Sequence, residues 1–204
     1  MTSLKSGVKL VLMKKLSTYL FLVLFSFSAL SFGDDIRDYQ IEGMSIGDSL
    51  LDYYSENYIK NNFGKWYDDK FHQLLLDDEK YETYENVVVS FNPKDKKYLI
   101  VSISGSINYG KNINQCYKDQ DKIDKIFSEL FEFSERRINV LDKGSYGPEN
   151  GDTNSKQIVY ELNKGTAVID CLDWDQKFKL DFNDRILISI DNKKFREWLI
   201  KNTQ

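Results

Sequence analysis

The chain of 204 residues has one histidine, two cysteines, two prolines and two alanines. A lone histidine, His72, excludes a zinc centre built on several histidines. Two cysteines exclude disulfide-dense miniproteins and zinc-finger arrays. Eleven glycines and two prolines exclude a collagen-like chain. Arginine is also sparse, with 5 residues against 23 lysines. Alanine, proline and arginine mostly use GC-rich codons, whereas the abundant lysine, asparagine and isoleucine use AT-rich ones. The bias points to an AT-rich genome, and it removes the lysines and asparagines as evidence for a binding surface. Neither a phosphate-binding P-loop nor a dinucleotide fingerprint is present.

What is there is an ordinary globular balance, 41% hydrophobic and 29% charged. That is far from the composition of a disordered chain. Residues 1–33 read as a signal peptide. Lys14 and Lys15 precede the apolar stretch 16–30, and small residues follow. The stretch is shorter than the roughly 20 residues that span a bilayer. Ala29 with Ser31, or Ser31 with Gly33, suits signal peptidase, and Met13 is a plausible true start. Residues 34–204 then form a single α+β domain.

Removing residues 1–33 takes away Lys5, Lys9, Lys14 and Lys15 and no acid. It leaves 24 basic against 32 acidic residues, a net charge of −8. An acidic exported chain lacks the basic face that nucleic acid requires. It also lacks a polybasic patch for anionic lipid. Its only expected membrane contact is the signal segment, if uncleaved, and its expected location is periplasmic or secreted.

The pattern along the domain predicts a helix over 46–55, with Ser45 as its cap and Asp48 completing a capping box. Strands are expected over 70–76, 84–91 and 98–107, the last two as an antiparallel hairpin. Ile123, Ile126, Phe127, Leu130 and Phe131 predict a long helix over 114–134. A loop follows over 141–156. A second hairpin, 157–162 with 166–174, precedes a strand over 185–190 and a last helix capped by Asp191. The expected architecture is a mostly antiparallel sheet with helices on one face, with a possible duplication of a helix–hairpin unit.

An exported chain with two cysteines invites a bridge. Cys116 lies at the start of the long helix. Cys171 shares a strand face with Ala167 and Ile169. If that face packs beneath the helix, the two sulfurs meet, and Cys116–Cys171 is the expected disulfide.

Gly43-Met44-Ser45-Ile46-Gly47 fits the nucleophile-elbow pattern. His72, after Asp68 and Asp69, supplies a formal base. The elbow lacks a buried strand before it, so a small serine hydrolase is the remote alternative and no catalytic residue is assigned. Acidic clusters at 68–69, 77–79 and 173–175 lack EF-hand spacing, so no metal site or cofactor is assigned. Trp66, Tyr67 and Trp174 are candidates for stacking on sugars, although aromatic residues in a small domain mostly serve packing.

The segment from Ile41 through Gly43-Met44-Ser45-Ile46-Gly47-Asp48 to Tyr54 follows directly on the signal segment. With Cys116-Tyr117-Lys118 and Cys171-Leu172-Asp173-Trp174, it resembles an uncharacterised family of small exported proteins from AT-rich marine alphaproteobacteria. That resemblance implies export and no known activity. The Gly-Met-Ser step before a hairpin is also similar to the BamE-type outer-membrane-assembly lipoprotein fold, but a lipidated cysteine and the Leu-Gly-x-Pro motif are missing. The expected function is a non-enzymatic binding or interaction module of the periplasm, partnered by an unknown protein or envelope component. An envelope-assembly factor is the alternative.

Overall fold

Alternating apolar residues build one long sheet. The computed structural model describes residues 35–67, 70–77, 81–141, 153–174 and 183–202. The expected signal segment lies outside the described residues. Among those residues, no helix is long and apolar enough to cross a membrane.

In chain order the strands are β1 (Gln40–Ile41), β2 (Met44–Ser45), β3 (Phe63–Tyr67), β4 (Phe71–Leu76), β5 (Asn86–Phe91) and β6 (Ile100–Gly110). They continue as β7 (Glu135–Leu141), β8 (Asn154–Leu162), β9 (Gly165–Asp173) and β10 (Asp184–Asn192). The helices are α1 (Glu56–Asn62), α2 (Ile113–Leu130) and α3 (Lys193–Asn202). β1 and β2 form a small ribbon, and the other eight strands run in the order β3-β4-β5-β6-β10-β9-β8-β7. Every neighbouring pair is antiparallel. Two four-stranded meanders thus meet at the β6–β10 seam.

The expected architecture needs correction. Strand accounts for 46% of the described residues and helix for 29%, so the sheet dominates. The helices do not share one face. Cys171, Ile169 and Ala167 lie opposite Ile186, Ile188 and Ile190 in the ladder, and Ile190 lies opposite Ile103. That face forms the main core with Val87, Val89 and Leu74. The disulfide from Cys116 ties the start of α2 to it. The other face carries Asp170 and Asp191, and α3 reaches it through Arg196, 3.8 Å from Asp191. Phe195 and Trp198 of α3 meet Phe71 at 5.1 Å.

The duplication fails too. β10 is inserted between the hairpins β5–β6 and β8–β9, and no full helix precedes the first of them.

No α-helix occupies 46–55. Gly47 sits at φ +92°, a left-handed conformation foreign to a right-handed helix. The Gly47 and Leu50 N–H groups donate to the Ile100 and Tyr98 carbonyls, so the segment runs along the start of β6. Only a short 3-10 turn forms, Leu50–Asp52, capped by Ser49. Ser55 caps α1.

Ser45 lies instead in β2. Asp48 Oδ2 accepts the Ser45 backbone N–H at 2.8 Å, one half of the expected box. The Ser45 hydroxyl caps nothing; it is buried without a hydrogen-bond partner. A buried polar group without a partner destabilises. Ser45→Ala is therefore expected to leave the melting temperature unchanged or raise it slightly. A drop of several degrees in a thermal melt would contradict this.

Asp191 does not cap α3. Asn192 does, accepting the Phe195 N–H at 2.8 Å. Asp191 is buried and accepts from the Ser102 hydroxyl at 2.7 Å. Asp170, equally buried, accepts from Ser155 at 2.6 Å and Gln157 at 2.9 Å. Burial pushes both carboxyls above their ordinary value, against these donors and the nearby Arg196.

A carboxyl with a raised folded pKa keeps its proton longer in the folded chain than in the unfolded one. Its contribution is fully present below the ordinary value of 3.8 and is lost as pH rises through the folded value. Asp170→Asn keeps a donor and an acceptor in place and removes the buried charge. It is expected to raise stability at pH 7 by on the order of 1 kcal/mol and to change little at pH 3. Denaturant melts at the two pH values check this.

Candidate functional site

The β1–β2 ribbon turns through Glu42 at φ +49° and Gly43 at φ +80°. Two consecutive positive values define the turn that suits a two-residue hairpin. Glycine adopts this conformation freely, but glutamate does not. Contacts made by the Glu42 carboxylate offset the strain. Oε1 accepts the Thr83 N–H at 2.8 Å and the Tyr84 N–H at 3.0 Å, and Oε2 accepts the Glu82 N–H at 3.2 Å. Charge-assisted bonds to backbone amides are among the stronger hydrogen bonds. One strained residue thus fixes the loop that leads into β5.

The Tyr84 ring closes that loop from below. It lies flat on Gly105 of β6, where an added Cβ would come within 2.4 Å of the ring. Burial, and then the charge of Glu42, pushes the Tyr84 phenol well above its ordinary pKa.

Between the ribbon turn, the 3-10 turn and the loop lies a depression of about 340 Å³. Glu42, Met44, Asp52, Tyr53, Tyr54 and Tyr81 line it. It adjoins a second of about 180 Å³, lined by Tyr54, Tyr58, Leu76 and Asp77. Tyr54 and Tyr58 stack with centroids 5.2 Å apart, and the Tyr54 and Tyr81 hydroxyls are 2.9 Å apart. The Tyr53 hydroxyl donates to Asp48 Oδ2 at 2.7 Å. Partial burial, then Asp48, pushes the Tyr53 phenol up to about 12, so this wall stays neutral at any physiological pH. The lining supplies aromatic rings and three carboxylates, Glu42, Asp52 and Asp77, and no lysine or arginine among the described residues.

The other sequence candidates lie elsewhere. Cys116 and Cys171 are joined, with Cα atoms 6.0 Å apart and both residues fully buried. His72 is buried on β4 and stacks on Phe63 at 4.2 Å. No hydrogen bond joins it to Ser45, whose hydroxyl has no partner. Asp68 and Asp69 lie outside the described residues, as do residues 78–79 and 175 of the acidic clusters. Among the described residues no group of three acids, histidines or cysteines is placed to hold a metal ion. Trp174 is buried, with the Arg185 guanidinium 5.2 Å from its ring centre, and is not open for stacking.

Sequence reasoning took Tyr54 as a core residue and passed over Tyr53, Tyr81 and Glu42. The available signal was density, since six of the 13 tyrosines lie between positions 53 and 84. Comparisons with protein families, curated proteins and solved structures find no match to the chain.

Proposed function

We propose that the chain is an exported, non-enzymatic binding module that takes an organic cation into the tyrosine-walled depression. The observation that carries this reading is the chemistry of the wall, in which tyrosines surround a space edged by carboxylates. Aromatic faces attract a cation through the ring quadrupole, and carboxylates add a field of the same preference. An anionic ligand meets only repulsion there. The volume is at the lower end of the range for small-molecule sites. Two features support rigidity before binding: the Glu42 clamp on residues 82–84 and the Asp48–Tyr53 bond. The buried Cys116–Cys171 bridge supports an oxidising compartment.

Calorimetric titration with choline tests the reading, with the neutral tert-butyl isostere of choline as the control. Choline is expected to bind and the isostere to bind far more weakly. Tyr53→Ala and Tyr81→Ala are each expected to weaken choline about tenfold. Equal binding of the two compounds, or no binding of either, removes the ligand assignment. Export is tested separately by the intact mass of periplasmic protein, which should begin between Phe32 and Asp34. A full-length chain in the membrane fraction would contradict it.

A further inference from the structure

The two ends of the long sheet are built differently. β3 is five residues long and its pairing with β4 is irregular between Gly64 and Tyr67. β7, at the other end, pairs with β8 over all seven residues without a break. Among the described residues nothing pairs with its outer side. Natural edge strands are usually guarded by proline, lysine, a bulge or short length. β7 has no proline, no lysine and no bulge. Its two cations do not guard it either. Arg136 is held by Asp124 through two bonds of 2.8 and 2.7 Å, and Arg137 is paired with Glu161. Ile138 and Val140, on one face of the strand, are 52% and 65% exposed, and Phe133 just before it is 85% exposed.

The geometry points to β7 as the interface of a homodimer, in which a second copy adds its own β7 antiparallel across a two-fold axis at Ile138. The sequence of the strand favours this partner. A two-fold axis perpendicular to the sheet keeps both copies' faces aligned, so the register must centre on a residue. Centred on Ile138, all seven residues pair. Ile138 meets its own copy, Val140 meets the stem of Arg136, and Asn139 meets Arg137. No arginine faces an arginine. Centring on Arg137 sets that residue against itself, and a parallel in-register pairing does so for both arginines. Like charges directly opposite one another destabilise a sheet. The two eight-stranded sheets then continue as one of sixteen strands.

A single strand pair makes a small interface, which places the dimer in the weak class. Sedimentation of the full chain is expected to show a doubled mass at about 100 μM that falls toward monomer near 1 μM. Ile138→Lys is expected to give a monomer throughout with an unchanged thermal melt, because position 138 is exposed in the single copy. Leu75→Lys, an exposed position on β4, is expected to leave the dimer intact. The register is read by oxidation. Ile138→Cys places two sulfurs opposite each other and should cross-link between chains. Val140→Cys places its two copies too far apart for a bridge and should not. A wild-type chain that stays monomeric at the higher concentration overturns the proposal. So does equal cross-linking at both positions, or a dimer that survives Ile138→Lys.

Discussion

Replacing both Cys116 and Cys171 with alanine is expected to destabilise the domain by about 4 kcal/mol in the chain-entropy account. The bridge spans 55 residues, long enough for the unfolded chain to lose much of its freedom when it is closed. For a domain of this size the loss corresponds to a fall in melting temperature of roughly 10 °C. Folding should survive, because the core on the α2 face extends far beyond the bridge, to Val87, Leu74 and Leu50. Both sulfurs are buried, so reductant should act only on molecules that have opened. Native protein in mild reductant should therefore hold its bridge for hours and lose it at once near the denaturant midpoint. Thiol alkylation after graded denaturant measures this. Rapid alkylation of both cysteines in native protein would show that α2 does not cover β9.

The parts of this fold that the sequence disclosed are those with one wet face and one dry face. The helix stripe of Ile123, Phe127 and Leu130 and the alternation in β5, β6 and β10 each follow a single burial boundary. The bridge was legible for the same reason, since Cys171 shares the face of Ile169. β7 was invisible because nearly all of its side chains are exposed, so no alternation marks it. The second helix-covered face was hidden by its own chemistry. Ser102, Ser106, Thr166, Asp170 and Asp191 read as solvent-facing, yet all are buried. Hydrogen-bonded polar groups can line a covered face, and their pattern is that of an exposed one. The segment 46–55 misled in the opposite direction. Ile46, Leu50 and Tyr54 have helical spacing, but hydrogen bonds to residues 98 and 100, far along the chain, decide its path. The tyrosine depression depends on the same kind of distance, because Tyr54 and Tyr81 meet only after β3 and β4 have folded.

Gly105→Ala is expected to cost about 1–3 kcal/mol, the range for overpacking a close-fitting site, and to weaken choline binding along with stability. Position 105 lies in the middle of β6, paired with Val87 on one side and Ile188 on the other. An alanine there would ordinarily favour a strand over glycine. Here the added Cβ would lie 2.4 to 2.7 Å from three atoms of the Tyr84 ring, far inside contact distance. The ring cannot slide freely, because the Tyr84 N–H is held by Glu42 at 3.0 Å. Relief must come from lifting the loop at 82–84, which pulls on Glu42 and shifts Tyr81 beside it. Stability and ligand affinity should thus fall together in this variant. In Tyr81→Ala only the affinity should fall by a large factor. Paired melts and titrations of the two variants separate these outcomes. A Gly105→Ala protein as stable as the parent would mean that Tyr84 does not rest on the sheet, and that the loop is positioned by some other contact.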